Sequence, residues 1–182
     1  LFDIAKRLPL MAFDAPSMLR GARGMMVRPD DKSSVGLYFQ RNAHRHPDRP
    51  FLKYEGETFS YGAANAQVNR YARVLADRGV QRGDVVGVLM TNRPETLFVA
   101  LATVKLGATV GLLNHHQRDQ VLAHSFGLLD SVLNVVGEEC QAALDSLAAP
   151  LADVLFSQDL HKPAAAADPA DPPSSAQLPE TA

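Results

Sequence analysis

The residues best suited to bind a ligand stand at the end of an apolar run, at residues 114–118. The run before them, residues 109–113, has the length and composition of a buried strand. Open α/β sheets bind ligands outside the carboxyl ends of their strands, and an arginine there can hold a phosphate or a carboxylate. The candidate binding residues are Asn114, His115, His116 and Arg118. The alternative is that Arg118 and Asp119 only form a solvated helix start.

Three histidines near this loop raise the question of a metal site. His115 and His116 are adjacent, so their side chains point in different directions from an extended loop, and His124 follows further along. No acidic or cysteine residue stands at a metal-ligand spacing from them. We therefore predict no metal site, and we expect these histidines to supply loop polarity or ligand contacts.

Cys140 is the only cysteine, which excludes an intramolecular disulfide and a cysteine-built metal site. It follows Glu138 and Glu139, whose charges disfavour the thiolate that a nucleophile needs. The sequence therefore predicts a structural thiol, and we assign no catalytic residue in this chain.

Composition and missing motifs exclude several classes of protein. The 18 lysines and arginines nearly balance the 20 acidic residues, giving a net charge of −2, whereas a nucleic-acid binder carries a concentrated basic excess. No apolar stretch approaches the roughly 20 residues that span a bilayer. The chain lacks G-x-G-x-x-G, and the turn at residues 91–95 has no glycine. A dinucleotide-binding oxidoreductase lobe is therefore the weakest alternative.

The first half of the central region is predicted from caps and turns. Ser33 or Ser34 starts a helix toward His46. Residues 51–60 read as a hairpin that turns at Glu55-Gly56, and Ser60 caps a helix that ends before a glycine.

The second half alternates between apolar strands and helices. Strands are predicted at residues 85–90, 109–113 and 132–136. The helices after them are expected to end at Gly107, near Gly127 and at about Leu147, and the first of them is apolar nearly all round. This alternation predicts an α/β fold with a mostly parallel sheet covered by helices on both faces.

The two ends of the chain differ from its centre, so we divide it into residues 1–32, 33–160 and 161–182. The last segment is rich in alanine and proline and reads as a flexible linker. The first is basic, and its apolar side chains form one arc of a helix that suits a membrane interface or a protein surface, or that packs on its own chain. The residues of this arc are Met18, Leu19, Ala22, Met25 and Met26.

Several strings, in this order, resemble the adenylate-forming (AMP-binding) enzymes. The chain has a helix entry at residues 34–50 and then four short motifs. They are Phe59-Ser60-Tyr61 with Asn65, Asn69 and Ala72; Gly79-Val80-x-x-Gly83-Asp84; Asn92-x-Pro94-Glu95; and Lys105-x-Gly107-Ala108. Residues 112–118 and 122–125 resemble one branch, the long-chain and very-long-chain fatty acid–CoA ligases of fatty-acid-transport-protein type.

This resemblance implies an acid–thiol ligase that uses ATP, Mg²⁺ and coenzyme A. A fatty acid reacts with ATP to give an acyl-adenylate and pyrophosphate, and the thiol of coenzyme A then displaces AMP. The chain would form the first part of the large N-terminal domain, with Asn114, His115, His116 and Arg118 at the edge where coenzyme A docks. A cytoplasmic protein is implied, with peripheral contact at the inner face of the cell membrane.

The chain departs from the family in the residues that hold the nucleotide. Residues 1–182 match neither the phosphate loop nor the adenine motif, the ribose-binding aspartate or the catalytic lysine. In the family the phosphate loop follows a linker like residues 161–182, so we expect an N-terminal fragment that is inactive by itself. The alternative from a different class is a non-catalytic α/β module that docks to a membrane or a protein partner.

Overall fold

The computed structural model describes residues 34–161. Helix α1, Val35–Arg45, begins where Ser34 Oγ accepts a hydrogen bond from the Leu37 N–H at 3.1 Å. A hairpin follows, with strands β1, Pro50–Tyr54, and β2, Glu57–Ser60. Its two-residue turn places Glu55 and Gly56 at φ 47° and 86°. Positive φ at both positions is what the tightest hairpin turns require, and the predicted hairpin is confirmed.

Helix α2, Tyr61–Asp77, turns one apolar face inward. It begins at Ser60, whose Oγ accepts a hydrogen bond from the Ala63 N–H at 3.2 Å, and it ends before Gly79, at φ 89°. Four side chains recur at helical spacing along the buried face, and all are fully buried. They are Ala64, Val68, Tyr71 and Leu75.

Four parallel strands form the main sheet, in the spatial order β4-β3-β5-β6. They are β3, Val85–Leu89; β4, Thr109–Leu112; β5, Leu133–Val136; and β6, Val154–Phe156. The sequence did not predict β6, because three residues are too few to show a strand pattern.

Helices cover both faces of this sheet. Helix α2 and helix α3, Pro94–Lys105, pack with Val86 and Val88 on one face. The opposite face carries Leu89 and Val136, which pack with helix α4, Asp119–Leu129, and helix α5, Gln141–Asp145. Strand side chains alternate between faces, so consecutive residues of β3 enter different cores. The predicted α/β fold with a mostly parallel sheet is confirmed.

Two helix ends differ from the prediction. Helix α4 continues past Gly127 to Leu129, and Asp130 adopts the left-handed conformation that ends it, at φ 47°. Aspartate tolerates that conformation better than most residues, so no glycine is needed there. The helix expected up to Leu147 is a short 3-10 helix, Glu138–Cys140, followed by the five-residue α5.

A close approach in the centre of the sheet requires glycine. Gly87 lies beside Asn134 in the parallel register, and a Cβ at Gly87 would clash with the Asn134 side-chain oxygen. Asn134 is buried, and it accepts a hydrogen bond from Ser131 Oγ at 2.7 Å and donates one to the Ala152 carbonyl at 3.3 Å. The missing Cβ therefore makes room for a buried amide on the face that carries α4.

The predicted membrane-contact residues lie outside the described part of the chain. They are Met18, Leu19, Ala22, Met25 and Met26. The predicted linker also lies outside it, except for His161. Within residues 34–161, no helix is long and apolar enough to cross a membrane.

Candidate functional site

The loop after β4 holds the four predicted binding residues in a tight turn. Asn114 Oδ1 accepts a hydrogen bond from the His116 N–H at 3.0 Å, and the Asn114 carbonyl accepts one from the Gln117 N–H at 3.0 Å. The rings of His115 and His116 lie 3.9 Å apart, centre to centre. The asparagine side chain therefore shapes the backbone of this loop. The two imidazole rings contact each other with their planes tilted by 42°, so the prediction that they point in different directions is wrong.

Arg118 bonds its own loop. One guanidinium nitrogen, Nη1, donates to the carbonyls of His115 at 2.8 Å and Gln117 at 2.7 Å. The residue is exposed and immediately precedes α4, so it stands at the helix start that the alternative interpretation describes. Whether this loop contacts coenzyme A stays a prediction.

Among the described residues, no metal cluster involves these histidines. Across residues 34–161, no three histidine, cysteine, aspartate or glutamate side chains converge so that they could hold a metal ion.

The strand order makes the carboxyl ends of β3 and β5 the point where the chain's connections switch sides of the sheet. From β3 the chain leaves along α3 on one face, and from β5 it leaves toward α5 on the other face. Doubly wound sheets bind their ligands at such a point. Sequence analysis did not place the site here, because the spatial order of the strands was unknown.

Arg93 lies at this switch point and is surrounded by three carboxylates. Its Nη1 lies 3.1 Å from Glu139, its Nη2 lies 3.4 Å from Glu138, and its Nε lies 3.7 Å from Glu95. Nη2 also donates to Ser157 Oγ at 2.6 Å. We call these five residues the Arg93 cluster. They join the segments that follow β3, β5 and β6, so one guanidinium links the ends of three strands.

The two glutamates after β5 accept further hydrogen bonds. Glu139 accepts from the Thr91 N–H at 2.9 Å and from Thr91 Oγ1 at 3.0 Å. Glu138 accepts from Ser157 Oγ at 2.8 Å and from the Gln158 N–H. Partial burial acts to raise the pKa of both carboxyls, but these hydrogen bonds and Arg93 outweigh it and hold each pKa below its ordinary value. Both side chains are therefore carboxylates at neutral pH.

A second polar cluster lies between α2 and α3. Lys105 is only 6% exposed, and its Nζ donates to Asn65 Oδ1 at 2.8 Å and to Asn69 Oδ1 at 2.5 Å. We call these three residues the Lys105 cluster. They come from two of the motifs that carry the family resemblance. One signal could have revealed the cluster, since two asparagines four residues apart lie on an otherwise apolar helix face.

Tyr71 and Cys140 are buried groups in the two cores. Burial raises the pKa of Tyr71 to about 12, and its hydroxyl lies 3.2 Å from His161 Nε2. Cys140 is 2% exposed, and burial and then the charge of Glu139 raise the pKa of its thiol. A raised pKa disfavours the reactive thiolate, in agreement with the structural role predicted for this cysteine.

Comparisons with known proteins now identify the family. The model of the AMP-binding enzyme family matches residues 39–181. The chain belongs to the AMP-binding enzymes. Its resemblance to adenylate-forming enzymes is confirmed, and so is the branch, because ligases and transport proteins for fatty acids are among its relatives.

Two relatives show how much of a family member's length this chain aligns with. The chain is 45% identical over 181 residues to the medium/long-chain fatty-acid–CoA ligase FadD6 of Mycobacterium tuberculosis, an alignment that covers 97% of this chain and 30% of that protein. It is 30% identical over 126 residues to long-chain fatty acid transport protein 6 of Mus musculus, covering 69% of this chain and 19% of that one. The chain thus spans about a third or less of these relatives.

A solved structure confirms the fold of this AMP-binding enzyme. The N-terminal domain of FACL13 from Mycobacterium tuberculosis superimposes with a TM-score of 0.70 at 22% identity. The superposition covers 79% of this chain and 38% of that one.

Proposed function

We propose that this AMP-binding enzyme is part of an ATP-dependent long-chain fatty acid–CoA ligase. The observation that carries the proposal is the 45% identity across nearly the whole chain to a protein named as a medium/long-chain fatty-acid–CoA ligase. In the reaction, the fatty carboxylate attacks the α-phosphorus of ATP and displaces pyrophosphate. The coenzyme A thiol then attacks the acyl carbon, and AMP leaves.

The proposal assigns nucleotide binding to residues outside 34–161. Residues 34–161 hold no converging set of side chains suited to Mg²⁺, and Arg93 pairs with the glutamates that follow β5. We therefore derive no step through ATP or Mg²⁺ from these residues. Their proposed contribution is the sheet edge that supports the cleft, with ATP and Mg²⁺ held by other parts of the enzyme.

The ligase proposal can be tested with a hybrid protein. The 182 residues replace the aligned region of the M. tuberculosis ligase, and AMP formation is measured with oleate, ATP, Mg²⁺ and coenzyme A. We expect AMP formation that depends on both the fatty acid and coenzyme A. A folded hybrid that makes no AMP with fatty acids of any chain length would contradict the proposal.

The 182-residue chain assayed alone provides the complementary measurement. Removing one preorganised donor from an active site typically lowers the rate by 10²- to 10³-fold. A chain without the whole phosphate-binding set should release no pyrophosphate from ATP in the presence of oleate and Mg²⁺. Turnover above the blank would show that the nucleotide is held within these 182 residues.

We propose that Asn114, His115, His116 and Arg118 lie at the coenzyme A edge. The exposed guanidinium of Arg118 at the carboxyl end of β4 supports this role, since coenzyme A carries phosphates that arginine binds well. In the hybrid, Arg118→Ala should raise the KM for coenzyme A roughly tenfold, the value of one charge-assisted hydrogen bond, and leave the KM for ATP unchanged. Arg41→Ala, which removes an exposed arginine from α1, is the matched control. An unchanged KM for coenzyme A would refute the assignment.

The non-catalytic alternative rests on the amphipathic pattern of the first 32 residues. A peptide of residues 1–32 should sediment with anionic liposomes if Met18, Leu19, Ala22, Met25 and Met26 form a membrane-contact face. The double change Met25→Asp and Met26→Asp should abolish sedimentation. Equal sedimentation of both peptides would indicate that binding is due to the basic residues alone.

A further inference from the structure

A tertiary hydrogen bond holds the end of the loop after β4. Asp119, the first residue of α4, donates its N–H to Ser146 Oγ at 2.8 Å, across 27 residues of the chain. Ser146 follows the last residue of α5, and its hydroxyl donates in turn to the Ala143 carbonyl at 2.7 Å. Because Ala143 is fully buried, the loop is tied to a helix that is itself fixed in the core.

Asp119 has a backbone conformation that L-residues rarely adopt. Its φ is 49°, in the left-handed region, where the Cβ comes close to the following carbonyl oxygen. Aspartate tolerates this region better than most residues, whereas glycine adopts it without the steric cost. The hydrogen bond from Ser146 therefore stabilises a conformation that residue 119 does not favour by itself.

A second unfavourable feature lies two residues earlier in the chain. Gln117 Oε1 is buried and has no hydrogen-bond partner among the described residues. A buried acceptor without a donor is costly, so folded proteins keep few of them. Costly local arrangements persist where the surrounding structure imposes them, and they are common at binding sites. The loop after β4 thus combines two such costs beside Arg118.

Arg118 does not fix this loop to the rest of the protein through its described hydrogen bonds. Its guanidinium donates to the carbonyls of His115 at 2.8 Å and Gln117 at 2.7 Å, which belong to the same loop and move with it. Ser146 instead bonds the residue next to Arg118 from a different helix. The position of the Arg118 cation therefore depends on a bond that Arg118 does not make.

We propose that Ser146 is a positioning residue for coenzyme A, which holds the loop after β4 in the conformation that presents Arg118. This inference rests on the proposed function, in which Arg118 lies at the coenzyme A edge. Ser146 acts through the Asp119 N–H and makes no contact with coenzyme A. Without its hydroxyl, a smaller fraction of molecules keeps the strained loop conformation, and the apparent affinity for coenzyme A falls in proportion.

The first experiment measures Ser146→Ala in the hybrid ligase. We expect the KM for coenzyme A to rise about fivefold, the effect of one net hydrogen bond, while kcat and the KM for ATP change less than twofold. Loss of general stability would not single out coenzyme A. Ser146→Thr keeps a hydroxyl and should keep the KM. Ser125→Ala is the matched control, because Ser125 Oγ donates to the Val121 carbonyl within α4 at 3.0 Å.

A second variant tests whether strain at Asp119 makes the hydroxyl necessary. Asp119→Gly removes the steric cost of the left-handed conformation, so the loop should no longer depend on Ser146. In this glycine background, Ser146→Ala should change the KM for coenzyme A less than twofold, against about fivefold in the aspartate background. Each comparison stays within one background, so the loss of the Asp119 charge does not enter it.

Amide hydrogen exchange tests the loop without any substrate. In the 182-residue chain, Ser146→Ala should speed exchange at Asp119 at least threefold, because that N–H loses its acceptor. Exchange at Val99, which is fully buried in α3, should stay unchanged and so show that the variant is folded.

Three results would overturn the proposal. The first is a KM for coenzyme A that Arg118→Ala raises and Ser146→Ala leaves unchanged, since the coenzyme A edge would then stand without this positioning residue. The second is an equal effect of Ser146→Ala in the aspartate and glycine backgrounds. The third is unchanged exchange at Asp119. If Arg118→Ala leaves the KM unchanged as well, the coenzyme A edge itself is refuted, and the role of Ser146 with it.

Discussion

Lys105 and Arg93 are both cations held by side-chain oxygens, but their surroundings differ. Lys105 is 6% exposed and donates to the amide oxygens of Asn65 and Asn69, which join helix α2 to helix α3. The Arg93 side chain is 25% exposed and lies among three carboxylates at the carboxyl edge of the sheet. One cluster is a hydrogen-bonded charge inside the protein, and the other is a set of ion pairs near its surface.

The difference determines what each cluster contributes. In a dry interior a charge is costly unless its hydrogen bonds are made, so the Lys105 cluster strongly favours one packing of α2 on α3. Near the surface, solvent and salt screen ion pairs and reduce their contribution. The Arg93 cluster therefore adds less stability, and its main effect is to position the segments after β3, β5 and β6.

Removing the acceptors of Lys105 should have the largest effect. The double variant Asn65→Leu and Asn69→Leu leaves a buried ammonium without two of its hydrogen-bond acceptors. We expect the free energy of unfolding in urea to fall by about 3–5 kcal/mol, as when a buried charge loses its partner.

A third substitution tests whether the buried charge causes that loss. Adding Lys105→Met to the double variant replaces all three polar groups by apolar ones, which can be nearly neutral. The triple variant should regain at least half of the lost stability. If it is no more stable than the double variant, shape rather than charge holds the two helices together, and the contrast with Arg93 fails.

Arg93→Met should have a smaller effect on stability. It leaves Glu138 and Glu139 close together without their cation, but both remain partly solvated. We expect a loss of about 1–2 kcal/mol in urea, against no measurable change for Arg41→Met, an exposed arginine in α1.

Amide hydrogen exchange near the carboxyl ends of the strands gives a second measurement for Arg93. Because Arg93 holds Ser157 and the glutamates after β5, Arg93→Met should speed amide exchange at Gln158 more than at Val99 in the core of α3. Uniform acceleration across the chain would mean that Arg93 contributes only to overall stability and has no local positioning effect.

Sequence patterns predicted the local structure, but they did not predict the Lys105 cluster or the Arg93 cluster. Ser34, Ser60 and Gly56 define helix starts and a turn by chemistry that acts within a few residues, so those elements were predictable. Arg93 meets Glu138 across 45 residues, and that pairing depends on β3 lying next to β5. The sequence alone does not reveal the strand order that brings them together.

The loop after β4 shows the same difference between what was predictable and what was not. Asn114 was predicted as a binding residue in the loop after a strand, and in the structure its side chain shapes that loop. The Arg118 guanidinium donates a hydrogen bond to the carbonyl of His115. This contact depends on the conformation of the turn, which the residue types do not specify. The sequence therefore predicted that these residues lie in a loop after a strand, but it did not predict their hydrogen-bond partners.

The pH dependence of stability should give the smallest difference between the clusters. Glu138 and Glu139 have pKa values lowered in the folded state from an ordinary 4.5. A carboxyl whose folded-state pKa is lowered adds stability that is complete above its unfolded pKa and is lost as the pH falls through the folded value. Because both side chains are partly exposed, we expect this contribution to be less than about 1 kcal/mol.

The measurement compares urea midpoints at about pH 7 and about pH 3 for the wild type and Arg93→Met. The wild type should lose more stability on acidification than the variant, because Arg93 is one of the groups that lower both pKa values. The Asn65→Leu and Asn69→Leu variant should lose as much as the wild type, since its change lies away from any carboxylate of the Arg93 cluster. Equal acid sensitivity of wild type and Arg93→Met would show that backbone and hydroxyl donors alone hold these glutamates ionised, and Arg93 would then position the strand ends without tuning their charge.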